Sequence, residues 1–167
     1  MLSVLIETQN DEEGLARTLG SLIHAVVEGA VRDVVVCDRG STDQTHYVAE
    51  HAGCHFLATG GIVAGIAAAR SDWLLVLEPG ARLLDGWIEE ARAHVNRATL
   101  PAHFSRARAD RPRFWARMFG AGRPLEQGLL INKRQAAALA KHTATGEALA
   151  RGLAMKTLDA EISPAKR

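Results

Sequence analysis

Three short polar segments of this chain follow runs of apolar residues and carry most of the side chains that could do chemistry. They are Glu7-Thr8-Gln9-Asn10, Asp38-Arg39-Gly40-Ser41 and Glu78-Pro79-Gly80. A carboxylate in such a loop can accept hydrogen bonds from a ligand, help to hold a hard divalent cation, or act as a general base. A residue such as Asp38 can equally hold its own turn and cap the next helix.

A second group of candidates lies in the segment 103–124, which is rich in arginine and aromatic residues. It contains one acid, Asp110, and six arginines, at positions 106, 108, 111, 113, 117 and 123, interleaved with Phe104, Phe114, Trp115, Met118 and Phe119. Such a segment can bind a diphosphate or contact an anionic membrane surface. It can equally be a solvated stretch whose arginine stems cover apolar surface, or a contact between copies of the chain in a homo-oligomer. No sequence-specific nucleic-acid motif is present, so we expect no nucleic-acid partner.

The elements that must position these segments alternate between strand and helix over the first 97 residues. Apolar runs predict strands at residues 2–6, 31–37, 54–58 and 73–77. Helical spacing predicts helices from Asn10, as the N-cap, to Gly29, and at 44–52, 62–70 and 84–97. This alternation indicates an α/β fold, a Rossmann-like three-layer sandwich with a mostly parallel central sheet. Ligands bind such sheets beyond the carboxyl ends of the strands, which predicts that the three polar loops share one edge.

The pattern changes after residue 100, in charge as well as in structure. Residues 1–100 carry 14 acids and 7 bases, whereas residues 101–167 carry 5 acids and 13 bases. A strand is predicted at 127–131, helices at 133–141 and 147–155, and a frayed segment over the last dozen residues. We therefore divide one domain into a βαβ part, 1–100, and a largely helical part, 101–167.

The composition indicates a single folded domain. The chain has 167 residues, of which 23% are charged and 47% hydrophobic. Cys37 and Cys54 lie in apolar stretches, which predicts buried, reduced thiols, and no cysteine or histidine spacing indicates a zinc site. With no signal-peptide pattern and no apolar run long enough to span a membrane, we expect a cytoplasmic protein, with peripheral membrane contact through arginines 106–123 as an option.

Four segments, in order, resemble motifs of the family-2 glycosyltransferases, which have the GT-A fold. Residues 3–10, followed by acids, resemble the family's S-V-[IV]-I-P-[TA]-[YL]-N-E-E opening, and residues 34–43 resemble V-V-D-D-G-S-T-D. Residues 67–77 resemble the A-x-G-D-W-L-L-F-L approach to the D-x-D motif, and residues 126–130 resemble G-D-Q-G-[IL]-F of small bacterial members. The resemblance spans residues 1–140 and predicts the GT-A fold.

The resemblance implies transfer of a sugar from a nucleotide-diphosphate donor to an acceptor, which the sequence does not name. It implies that Asp38 contacts the nucleoside, with Glu7, Thr8 and Arg39 bordering the same pocket. It implies that Glu78 and Arg70 lie at the diphosphate. Glu126 is then the candidate catalytic base, residues 1–100 bind the nucleotide sugar, and residues 101–167 form the acceptor side.

The D-x-D motif is where this chain departs from the family. The family holds Mn²⁺ or Mg²⁺ with its two aspartates, but the aligned residues here are Glu78-Pro79-Gly80, and Gly80 supplies no carboxylate. Glu78 could bind a metal together with water or histidine, or arginines of the segment 106–123 could replace its charge. The rival hypothesis is a lapsed transferase that binds a nucleotide, a lipid surface or a protein without turnover.

Overall fold

The structure is a computed structural model that describes residues 1–110 and 122–166. Within these residues eight strands and six α-helices alternate along most of the chain. The strands are β1 (Leu2–Thr8), β2 (Val31–Asp38), β3 (His55–Leu57), β4 (Trp73–Leu77), β5 (Arg82–Leu83), β6 (Ala102–Arg106), β7 (Leu129–Asn132) and β8 (Lys156–Ser163). The helices are α1 (Glu12–Val27), α2 (Thr45–His51), α3 (Gly61–Ala68), α4 (Trp87–Arg97), α5 (Lys133–Leu139) and α6 (Gly146–Ala150), and a 3₁₀ turn covers Arg108–Asp110.

The eight strands of this part of the chain form one sheet in the order β3-β2-β1-β4-β7-β6-β8-β5. Strands β1 to β4 pair in parallel, with Leu5 opposite Val35 on one side and Val76 on the other. Strand β7 runs antiparallel to both β4 and β6, while β6 and β8 are parallel. The sheet is therefore mixed but mostly parallel, and the predicted α/β class is confirmed.

Side chains of the central strands alternate between two cores, one on each face of the sheet. Ile6, Leu75 and Leu77 pack on the side of α1 and α4. Leu5 and Val76 pack on the side of α3, α5 and α6. Because both faces are covered, these strands are apolar at nearly every position, which is why their limits were predictable.

The start of α1 differs from the prediction by one residue. The N-cap is Asp11, whose Oδ1 accepts a hydrogen bond of 2.9 Å from the Gly14 amide. Asn10 has a φ of 50° and its Oδ1 accepts from the Thr42 amide at 2.7 Å. The prediction of Asn10 as the cap was wrong because its side chain joins the loop after β1 to the loop after β2.

The C-terminal part differs more, since a predicted helix is shorter than expected and residues predicted as frayed tail form a strand. The helix predicted over 147–155 ends at Ala150, and residues 156–163 form β8 instead of fraying. Leu158, Ala160 and Ile162 are buried at every second position of β8, which is the period of a half-buried strand. Strand β8 pairs with β6 and β5, so the C-terminal part completes the sheet instead of forming a helical appendage.

Candidate functional site

The loops after β1 and β4 meet at one edge of the sheet and border a cavity of about 340 Å³. Its lining comes from both parts of the chain: Glu7, Thr8, Gln9, Asp11, Arg39, Glu78, Pro79, Arg123, Leu125, Glu147, Ala165 and Lys166. The parallel register of β1, β2 and β4 explains why these loops share an edge. Two of the three polar segments thus contribute two or more lining residues, and the third contributes Arg39.

Asp38, the candidate nucleoside ligand, organises its own turn in this structure. Its Oδ2 accepts hydrogen bonds from the amides of Gly40 at 3.0 Å and Ser41 at 2.8 Å. Its Oδ1 accepts a further bond from the Ser41 hydroxyl. In these contacts Asp38 forms a turn, which is one of its two predicted roles. Its carboxylate is not part of the cavity lining.

Glu7 and Thr8 close the cavity from the end of β1. Glu7 Oε2 accepts from the Gly146 amide at 3.0 Å, so it ties β1 to the start of α6. The Arg39 amide donates to the Thr8 carbonyl at 2.9 Å, which holds the backbone of Arg39 beside Thr8 at the exposed border of the cavity. Thr8 Oγ1 is buried and has no hydrogen-bond partner among the described residues. A buried hydroxyl of this kind is a rare exception in folded proteins, and it belongs to a residue that borders the cavity.

Glu78 is the most perturbed ionisable group of the site. Its side chain is buried, and its Oε2 lies 2.9 Å from Nη1 of Arg123, although not in hydrogen-bond geometry. Burial raises the pKa of Glu78 to about 7, assisted by a hydrogen bond with Glu147 and the charges of Glu147 and Glu126, while Arg123 opposes the shift. Glu78 therefore gains and loses its proton close to neutral pH.

The residues around Glu78 do not fit a divalent cation. Gly80 has a φ of 91°, and a Cβ at this position would lie 3.1 Å from the Cβ of Ala165. A carboxylate-bearing residue at position 80 would therefore be both strained and crowded. Among the described residues no group of three or more His, Cys, Asp or Glu side chains could hold a metal, and residues 111–121 contain none of these types.

Two of the proposed site residues lie away from the cavity. Glu126, the candidate base, forms an ion pair with Arg106, whose Nη2 lies 2.5 Å from Glu126 Oε1, and neither residue lines the cavity. Arg70 precedes β4, whereas Glu78 follows it, so the two residues lie at opposite ends of this strand. The amide of Arg70 donates to Ser3 and Asp33 there. The structure does not bring Arg70 to the cavity.

No site role was predicted for Glu147, Ala165 or Lys166, and Arg123 was named only as one of six arginines. Glu147 lies in the first turn of α6, and Thr145 caps this helix by accepting a hydrogen bond of 3.2 Å from the Ala148 amide. Threonine is a common N-cap, so the sequence indicates the helix start that positions Glu147. Ala165 and Lys166 reach the cavity only because β8 carries the chain back to this edge. Nothing local in their sequence indicates that position.

Half of the arginine-rich segment can be placed. Arg106 and Arg123 are engaged by carboxylates as described, and Arg108 is exposed with Nε 4.0 Å from Glu161. Arg111, Arg113, Arg117, Phe114, Trp115, Met118 and Phe119 lie outside the described residues, and with them the hypotheses of membrane and oligomer contact. In the described part of the chain, no helix is both long and apolar enough to cross a membrane.

Comparison with known proteins identifies the family of this architecture. The model described as Glycosyl transferase family 2 matches residues 3–153. Comparison with curated proteins gives no match.

Similar solved structures include glucosyl-3-phosphoglycerate synthase from Mycobacterium tuberculosis in complex with Mn²⁺, UDP and phosphoglyceric acid, with 17% identity and a TM-score of 0.61, over 83% of this chain and 58% of that one. S. aureus TarS 1-349 is 16% identical with a TM-score of 0.69, over 98% of this chain and 60% of that one. Mannosyl-3-phosphoglycerate synthase from Rubrobacter xylanophilus is 15% identical with a TM-score of 0.65, over 100% of this chain and 67% of that one.

These identities show a common fold, and the predicted GT-A architecture is confirmed. This chain spans about three fifths of the length of the first two neighbours.

Proposed function

Because this chain belongs to glycosyl transferase family 2, we propose that it transfers a sugar from a nucleoside-diphosphate donor to an acceptor, with the donor in the 340 Å³ cavity. The observation that carries the proposal is the cavity that the loops after β1 and β4 form at the carboxyl ends of these strands, where Thr8 keeps a buried hydroxyl without a partner among the described residues. Neighbours of the same fold are complexes with UDP, which supports a nucleotide ligand. Residues 1–100 would hold most of the donor, while residues 101–167 would contribute Arg123 and Lys166 to its diphosphate and would also face the acceptor.

The nucleoside would lie against the ends of β1 and β2. There Thr8 offers a hydroxyl, Arg39 a cation on the rim, and Glu7 a carboxylate. Asp38 does not line the cavity; it would hold the turn that follows Arg39 and would contact the nucleoside only if that turn moved. The diphosphate would lie beside Glu78, deeper at the end of β4.

The acceptor hydroxyl needs a base, and two carboxylates are candidates. Glu126 would act only after its ion pair with Arg106 opens, because that contact occupies the carboxylate outside the cavity. Glu147 lies inside the cavity. Loss of a general base costs about 10²- to 10⁴-fold in rate, so Glu126→Gln and Glu147→Gln distinguish the two by kcat.

Binding can be tested with a thermal-shift screen of UDP, GDP and dTDP, followed by transfer and hydrolysis assays with the matching nucleotide sugars. We expect one diphosphate to raise the melting temperature and its sugar to be turned over. If no nucleoside diphosphate stabilises the protein, the proposed function is wrong. Stabilisation without turnover of any donor would instead indicate the lapsed transferase.

Thr8→Val provides the sharper test of where the donor binds. The variant removes a hydroxyl that has no partner in the described part of the chain, so its folding stability should be unchanged or higher. A ligand hydrogen bond lost at this position should weaken nucleotide binding by up to about tenfold. Thr45→Val is the matched control, because Thr45 is also buried but its hydroxyl bonds Asp43 at 2.6 Å, outside the cavity. It should lose stability and keep its nucleotide affinity.

A further inference from the structure

A fixed cation stands where the metal-binding carboxylates of a D-x-D motif would be needed. Arg123 Nη1 lies 2.9 Å from Glu78 Oε2, and Nη2 donates to the carbonyl of Ala165 at 3.4 Å. These two contacts hold the guanidinium at the end of β4. About 31% of the side chain stays exposed, and it lines the cavity, so a ligand can reach it.

The carboxylates near Arg123 do not neutralise it fully. Burial and a contact with Glu147 raise the pKa of Glu78 to about 7. Close to neutral pH about half of the Glu78 side chains are therefore protonated, so Glu78 supplies only part of a negative charge beside Arg123. A divalent cation would need both Glu78 and Glu147 ionised, whereas the Arg123 guanidinium needs only one carboxylate partner.

Two further cations line the same cavity. Arg39 stands on the rim beside the Thr8 carbonyl, and Lys166 follows Ala165 at the C-terminal end of the described chain. Together with Arg123 they place two guanidinium groups and one ammonium around a space of about 340 Å³, which four carboxylates, those of Glu7, Asp11, Glu78 and Glu147, also line. Guanidinium groups bind phosphate oxygens in bidentate fashion and an ammonium binds them as a point charge, so a diphosphate would lie against these three groups.

We propose that Arg123 is the resident cation of a metal-free diphosphate site, a proposal that rests on the proposed function and assigns its leaving-group chemistry. In the transfer step the bond between the anomeric carbon and the β-phosphate oxygen breaks, and its electron pair stays on that oxygen. The acceptor oxygen bonds to the anomeric carbon, and its proton goes to the carboxylate base. Arg123 stabilises the negative charge that develops on the departing diphosphate.

Calorimetric titration tests this inference with UDP, GDP and dTDP, each with EDTA and with Mn²⁺, alongside transfer assays under the same conditions. We expect the dissociation constant of the preferred diphosphate and its turnover to agree within about twofold in the two conditions. Binding or turnover that occurs only with Mn²⁺ overturns the inference and leaves the proposed function intact. Absence of diphosphate binding in both conditions refutes the proposed function and the inference with it.

Variants of Arg123 identify the cation itself. Arg123→Ala should weaken diphosphate binding by about tenfold to a hundredfold, the range for a lost charge-assisted hydrogen bond, and should leave binding of the bare nucleoside unchanged. Arg123→Lys, which keeps the charge and the ion pair with Glu78, should recover part of the loss. Arg134→Ala is the control, since Arg134 is exposed on α5 away from the cavity. Equal diphosphate affinity in all three variants, each folded by circular dichroism, would overturn the assignment of Arg123.

Discussion

Replacing Glu78 with glutamine should change how the stability of the protein depends on pH. Burial raises the pKa of Glu78 from 4.5 to about 7, with help from its hydrogen bond to Glu147. Between these two values the folded protein binds more protons than the unfolded chain, so its free energy of unfolding falls as the pH rises. The stabilisation is fully present below pH 4.5 and is lost as the pH passes through 7.

The size of the effect follows from the same two values. The interval from 4.5 to about 7 corresponds to at most about 3 kcal/mol. Because the surroundings of Glu78 can relax and admit water when it ionises, we expect roughly 1–3 kcal/mol. Glutamine cannot ionise, so the Glu78→Gln variant should gain this amount over the wild type between about pH 5 and pH 8.

Urea unfolding of both proteins at pH values spaced across this range measures the difference. The control is Glu89→Gln, an exposed position on α4, which should follow the wild-type profile. Parallel profiles of Glu78→Gln and the wild type would refute the reasoning. So would a variant that loses stability relative to the wild type as the pH rises, because Arg123 would then be holding Glu78 ionised.

Three further predictions concern the framework. Gly65→Ala should cost about 1–3 kcal/mol in urea unfolding, because its Cβ would lie within contact distance of Cys37 Sγ, and Cys37→Ala in the same chain should recover part of the loss. Asp11→Ala should cost about 1 kcal/mol of unfolding free energy, since it removes the cap of α1. Phe104→Ala should cost about 3–5 kcal/mol by the same measurement, because the ring is fully buried against Trp87.

The parallel half of the fold was predictable because its signals are local. Each central strand is covered on both faces, so its sequence is a run of apolar residues. The limits of Trp73–Leu77 were predicted to the residue. Strands β6 and β8 of the C-terminal part are half-buried and alternate polar with apolar residues. The arginine-rich surroundings of β6 and the polar positions of β8 favoured loop and tail, although Leu158, Ala160 and Ile162 carry the alternation of a strand.

The sequence predicted only those site residues that lie in loops at the carboxyl ends of the parallel strands. The loops that carry Thr8, Arg39 and Glu78 were expected together, and they line one cavity. The pairs that set its charge are distant in the chain, as in Glu78 with Arg123, and depend on how the C-terminal part folds back. Sequence patterns do not encode such pairings, which arise from the order of β6, β7 and β8 in the sheet.

The segment after β8 contacts both Gly80, which supplies no carboxylate, and Arg123. Strand β8 ends at Ser163 beside β5 and β6, so Ala165 arrives opposite Gly80, where it leaves no room for a longer side chain. The carbonyl of the same Ala165 accepts from Arg123 and helps to hold the guanidinium against Glu78. Restoring a carboxylate at position 80 would therefore have to displace Ala165, and with it one of the two contacts that fix Arg123. In the proposed site the Arg123 guanidinium takes the role of a divalent cation, and the return of the chain through β8 supplies one of its two contacts.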